Sequence, residues 1–295
     1  MSDLLAELSG VFTMAFAVST LLSMGLGLTV GQVLGPLRNV RAVVAALVVN
    51  FALVPLVALA LIRVLGLDED LRIGLLLLAT AAGAPMVVKL VEIAKGDVAS
   101  GVALMTLLIL ATVVYLPLAL PLLLPDVAVN SFAIVRSLGG QMLLPLAIGL
   151  FVRWRWEEEA AQYRPMVAQT STISLALLFV ASVGQNVGGV FDLVGTGGIL
   201  AAGLLIATAV VSGYLVAVPA GVERRVMALG SGQRNLAAAF IVATGNFADQ
   251  PNVLIFLATA GLISMVLLFP LAGEFSRRPR GAHLPAREAP PHAAS

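Results

Sequence analysis

Gly230-Ser231-Gly232-Gln233-Arg234-Asn235 is the stretch on which the fold turns. It interrupts an apolar run at about 225–246 that would otherwise read as one membrane helix. Two glycines loosen the helical backbone there, and a serine, two amides and an arginine stand beside the break. A second such stretch, Ala81-Ala82-Gly83-Ala84-Pro85, lies about 150 residues earlier in the run at 71–94, with Lys89 and Glu92 just after it. Backbone N–H and C=O groups freed at such breaks find no partner in lipid. The breaks must therefore be buried in protein or line a wet cavity.

The surroundings of both breaks are apolar. Of 295 residues, 60% are hydrophobic and 11% are charged, against roughly 25% charged in a soluble domain. So few charges cannot cover a soluble globule. Apolar runs of about 20 residues recur from Val11 to Leu271, which predicts an all-α polytopic membrane protein. About nine transmembrane helices are expected, at about 11–34, 42–65, 71–94, 98–124, 131–153, 166–189, 195–218, 225–246 and 252–273. The runs are continuously apolar and do not alternate, which excludes a barrel. The absence of cysteine excludes disulfides, thiolate metal sites and thiol catalysis. Both histidines, His283 and His292, lie near the C-terminus, so no metal site and no cofactor are expected in the membrane. A net charge of +1 gives no pull toward nucleic acid.

Met1–Gly10 carries Asp3 and Glu7 and no Lys or Arg. It lacks the basic start of a signal peptide, so the first span is expected to be retained. With nine spans, 12 Lys and Arg fall on one side, against Arg63 and Arg72 on the other. That asymmetry puts the C-terminus in the cytoplasm and the N-terminus outside, for a multi-pass protein of the cell inner (plasma) membrane. Residues 1–275 are expected to form one membrane domain, and 276–295, rich in Arg, Pro and Ala, a disordered cytoplasmic tail. Arg153–Arg164, with Glu157, Glu158 and Glu159, reads as a solvated inner loop. An offset of about 150 pairs the second, third and fourth spans with the seventh, eighth and ninth. The breaks fall in one odd and one even span. This pattern predicts inverted repeats, at about 11–124 and 131–273, with two discontinuous helices crossing at a midplane site. The other reading of the glycines is close packing between helices.

A charge at a helix centre costs roughly 2.5–3.5 kcal/mol on insertion scales. Arg234 lies too deep to escape that cost by snorkelling. Lys89 is six residues before Lys95 and can reach the surface; it is also three residues before Glu92, a spacing that allows an ion pair. The candidate substrate-binding residues are Arg234, Lys89, Asn235, Gln233, Ser231 and Asn50, with Gly83, Pro85, Gly230 and Gly232 opening the backbone. Glu92 is the one acid placed inside a span and the candidate for proton coupling.

Four segments come in a familiar order: Met24-Gly25-Leu26-Gly27-Leu28-Thr29, Asn50-Phe51-Ala52-Leu53-Val54-Pro55, the break leading to Ala94-Lys95-Gly96-Asp97, and 230–235. Together they resemble the bile acid:sodium symporter family of secondary transporters, over about Val11 to Leu271, in an outlying prokaryotic form. The resemblance implies a core domain with two crossed, broken helices, a panel domain that moves against it, and organic-anion substrates such as bile acids, sulfated steroids and smaller carboxylates. Family members bind two sodium ions beside the crossed helices. They use a Ser-Asn pair at the first break, hydroxyls on the next helix, and a Glu and a Gln at the second break. Val87-Val88, Gly101, Met105, Gly230 and Arg234 stand at those places here, and Asn50 stands for a Gln. Most sodium ligands are thus substituted, and Lys89 and Arg234 offer fixed cations in their stead.

The resulting expectation is a secondary transporter, not an enzyme, that moves a small or amphipathic organic anion by alternating access without a full sodium site. Arg234 is expected to grip the anion bidentately, with Lys89 second. The alternatives are sodium-coupled symport through backbone carbonyls, Ser231 and Asn50, and a non-transporting membrane sensor or scaffold on a transporter frame. The expected partners are a small organic anion and the lipid bilayer, with sodium left open.

Overall fold

The computed structural model describes residues 2–29, 31, 39–126, 131–185 and 195–278. The expected tail beyond residue 278 lies outside them. The described chain is helical almost throughout. In chain order the helices are α1 (Ser2–Gly27), α2 (Val40–Leu65), α3 (Glu69–Thr80), α4 (Met86–Ile93), α5 (Val98–Leu123) and α6 (Ser131–Arg155). There follow α7 (Glu157–Gln185), α8 (Gly198–Ala217), α9 (Arg224–Gly232), α10 (Leu236–Asn246) and α11 (Pro251–Arg277). Among the described residues five helices, α2, α5, α6, α8 and α11, are long and apolar enough to cross a membrane. The runs at 71–94 and 225–246 are each a pair of half-helices, α3/α4 and α9/α10.

Two long helices carry a π turn, and both have the same cause. Val49–Leu53 in α2 precedes Pro55, and Gly139–Leu143 in α6 precedes Pro145. A proline inside a helix lacks its N–H and crowds the carbonyl four residues back. One extra residue in the turn relieves that crowding and keeps the helix continuous.

The solvated loop expected at Arg153–Arg164 does not exist. Trp156 alone separates α6 from α7. Glu157, Glu158 and Glu159 fill the first turn of α7, where good helix formers of negative charge offset the positive helix end. Arg153 braces the corner by pairing with Glu157 at 2.6 Å. At the far end, α11 runs on to Arg277, two residues into the expected tail.

Helices α1, α6 and α7 pack on one another. Gly25 of α1 and Gly149 of α6 bring two backbones together: a Cβ on Gly25 would lie 2.5 Å from the Leu146 carbonyl oxygen, and one on Gly149 2.5 Å from that of Leu22. The other helices form a second group, from which α10 also packs against α1 and α6. Here α8 lies on α2, α9 and α11, and α3 lies on α5 and α11. Within it the order of a long, a broken and a long helix occurs twice, as α2, α3/α4, α5 and as α8, α9/α10, α11. The middle of this group is apolar: Ile73, Leu75, Leu76 and Leu77 of α3 are wholly buried, and Phe240 and Phe256 nearly so.

Gly149→Val must push α1 and α6 apart, and overpacking of this kind costs about 1–3 kcal/mol. Thermal unfolding in detergent should show a lower midpoint for it. Gly139→Ala places its Cβ in open space and should leave the midpoint unchanged or slightly raised.

Candidate functional site

The two breaks meet. Ala82 and Arg234 form an antiparallel backbone bridge, and the Asn235 N–H donates to the Ala81 carbonyl at 3.0 Å. Backbone groups released at one break thus find partners at the other. Thr112 of α5 completes the first break. Its hydroxyl donates to the Ala82 carbonyl at 2.8 Å and accepts from the Ala82 N–H at 3.0 Å. Gly83 has φ +75°, and a Cβ there would lie 2.6 Å from the Ile109 backbone nitrogen, so both conformation and space call for glycine. Pro85 then fixes the entry to α4 as its N-cap.

Arg234 lies at this junction and is 1% exposed. Its Nε donates to the Leu78 carbonyl at 3.0 Å. Its Nη1 donates to Asn50 Oδ1 at 2.8 Å and to the Ser231 carbonyl at 3.1 Å, and its Nη2 donates to the Ala79 carbonyl. Four of the five guanidinium N–H groups are therefore used within the protein. Among the described residues no ion pair includes Arg234. Asn50, wholly buried in the π turn of α2, is aimed by two further bonds: its Nδ2 donates to the Ala46 carbonyl at 3.0 Å and to Ser231 Oγ at 3.1 Å.

The structure thus gathers Arg234, Asn50, Ser231 and Gly83 into one cluster, with Gln233 and Asn235 beside Arg234. Gln233 accepts from Ser264 Oγ of α11 at 3.3 Å. Asn235 caps α10 by accepting from the Ala238 N–H at 3.1 Å, while its buried Nδ2 has no partner among the described residues. Gly230 and Gly232 do not open the backbone. Both lie inside α9, and the break falls at Gln233–Asn235. A Cβ on either would meet a side-chain tip at 2.4 Å, Leu104 for Gly230 and Val210 for Gly232, so close packing is what they provide. Lys89 stays apart from the cluster. It pairs with Glu92 at 3.0 Å on the outer face of α4, each side chain 60% exposed.

Sequence reasoning missed Thr112 and Ser264. Each is a hydroxyl in an apolar run, placed 30 residues after Ala82 and 31 after Gln233. The 150-residue offset already pairs their helices, but from Thr112 it lands on Leu262 and does not single out Ser264. The carbonyls of Leu78, Ala79 and Ser231 had no side-chain signal. A further tie, also missed, joins the half-helices on another side: Arg225 donates to the carbonyls of Ala94 (2.7 Å) and Arg278 (2.8 Å), while Glu223 accepts from the Asp97 N–H at 2.7 Å.

An all-helical, multi-pass membrane protein whose interrupted helices meet at a buried polar cluster falls in the class of secondary transporters. The family follows from the sequence match. The model of the Sodium Bile acid symporter family fits residues 14–192, and the chain belongs to that family, one of transporters and not of enzymes. The matched part takes in α2, the first break and α5 but ends before Arg234. The chain is also 24% identical over 262 residues to a protein of Arabidopsis thaliana described as "Probable sodium/metabolite cotransporter BASS1, chloroplastic". That match covers 88% of this chain and 65% of the plant protein, so the chain spans about two thirds of its relative's length.

Thr112→Val leaves both the N–H and the C=O of Ala82 unpaired in an apolar core, at about 1–3 kcal/mol for each group. A clear fall in the unfolding midpoint is expected. Lys89→Gln removes an exposed pair, worth below about 1 kcal/mol, and should barely move it.

Proposed function

We propose that the chain is an alternating-access carrier of small or amphipathic organic anions, with nine membrane crossings, the C-terminus in the cytoplasm of the cell inner membrane, and no obligatory coupling to sodium. The observation that carries this reading is Asn235. Its Nδ2 is a donor buried at the N-terminus of α10, without an acceptor among the described residues, on the residue next to Arg234. A buried donor left unpaired costs about 1–3 kcal/mol. An anion supplies the missing acceptor, and a helix N-terminus favours negative charge. Arg234 then serves the anion by its charge rather than by a bidentate grip, because its donors are already engaged.

Two observations support the repeat. The order of long, broken and long helix recurs, and a hydroxyl follows each break by 30 or 31 residues. Opposed units that share one junction are what a rocking transporter requires. Against sodium coupling stand the missing oxygen ligands and a fixed cation at the second break. Proton coupling would fall to Glu92, which is paired with Lys89 on an exposed face.

Uptake of labelled carboxylates and sulfates into proteoliposomes is expected to be equal in sodium and in potassium chloride. A steep sodium requirement would turn the assignment to sodium-coupled symport, and binding without flux would turn it to a sensor or scaffold. Asn50→Asp places a carboxylate against the guanidinium and cancels the charge while keeping the shape. It also turns the Nδ2 donation to the Ala46 carbonyl into an oxygen–oxygen contact, so the unfolding midpoint should fall, and anion affinity, measured on folded protein below that midpoint, should drop about tenfold or more. Glu92→Gln is expected to leave the pH dependence of uptake as it was; a shifted profile would give Glu92 the proton.

A further inference from the structure

We propose that Arg234 is a resident cation: its guanidinium fills a monovalent-cation site made of protein oxygens, and removing it opens that site to a free ion. The oxygens are the carbonyls of Leu78, Ala79 and Ser231 and the side-chain Oδ1 of Asn50.

The reason lies in where the helical donors go. In an unbroken helix the N–H of Ala82 would serve the Leu78 carbonyl, that of Gly83 the Ala79 carbonyl, and that of Asn235 the Ser231 carbonyl. The Ala82 N–H goes instead to Thr112, and the Asn235 N–H to Ala81. The regular ladder stops one step earlier at the first break, with Ala81 donating to Leu77, and two steps earlier at the second, with Gln233 donating to Leu229. Three carbonyls at the C-terminal ends of two half-helices are thus left facing one point, each at the negative end of its helix. Asn50 Oδ1 is turned toward the same point because its Nδ2 is held by Ala46 and Ser231.

Such a ring asks for positive charge, and carbonyl rings are how proteins hold bare monovalent cations. Here the positive charge is covalently attached. Two other roles for Arg234 do not fit the geometry. An anion grip needs free donors, and four of five are used. A salt bridge needs a carboxylate, and none pairs with Arg234 among the described residues. For the carrier reading on which its consequence rests, the result is a break that stays in its cation-bound shape in every salt.

The test is thermal unfolding of the full chain in sodium, lithium, potassium or choline chloride at equal ionic strength. The wild-type midpoint is expected to be the same in all four; a sodium-specific rise in the wild type would overturn the proposal. Arg234→Gln is expected to unfold lower in choline and to recover by about 5 °C or more in at least one small alkali cation, by mass action. An Arg234→Gln protein that responds to no cation, or equally to all four salts, overturns the proposal. Should that variant fail to accumulate, Arg234→Lys keeps the charge and is expected to be indifferent to the cation; a cation-specific response there overturns it too. The outcome is separable from the carrier reading. A cation-responsive Arg234→Gln beside a wild type that moves no anion would sink the carrier and leave the cation site. Intact anion uptake with a silent Arg234→Gln would do the reverse.

Discussion

Helices that stop inside a membrane leave carbonyl groups that nothing in lipid can satisfy, and the rest of this molecule is arranged around that constraint. At the junction of the two breaks the debt is met in three ways. Ala81 and Asn235 pair across the breaks, Thr112 serves both polar groups of Ala82, and Arg234 supplies donors to Leu78, Ala79 and Ser231. Each solution recruits a different element: α5 for the threonine, α2 for the asparagine that steadies the guanidinium, α9 and α10 for the ends themselves. The close approach of α5 at Gly83 follows from the same need.

The arrangement is also electrically lopsided. The negative ends of α3 and α9 are neutralised by a guanidinium bound to them. The positive ends of α4 and α10 begin only a few residues away, at Pro85 and Asn235. What remains uncompensated is positive, and the proposed anion site rests on that balance. Lys89 shows the contrast. It has the same formal charge, but with Glu92 beside it and solvent or headgroups around it, it contributes little to that field.

Much of this was legible in the sequence because hydropathy and helix breakers act locally. The apolar runs located most helices to within a few residues, though α1 and α7 each begin nine residues before the expected span, and Gly83, Pro85 and the 230–235 segment located both interruptions. Reading a break into Gly230 and Gly232 failed because glycine has two uses in membrane helices; neighbours such as Leu104 and Val210, distant in sequence, decide which applies. The inner loop at Arg153–Arg164 was misplaced because charge was taken as a sign of loop, whereas a triple glutamate is also a good first turn. The hold on Arg234 was half legible. Its depth and the nearby Asn50 could be seen. That backbone oxygens would saturate it could not, since carbonyls carry no letter in a sequence.

The corner at Trp156 has a mechanical meaning. One residue spans at most about 3.6 Å, so α6 and α7 cannot slide past each other along their axes. Gly25 and Gly149 lock α1 to α6 at backbone distance. These three helices therefore have few internal degrees of freedom and behave as one lever with its elbow at Trp156. The π turn at Gly139–Leu143 has open space beside both of its glycines, so α6 can change shape there without meeting a neighbour.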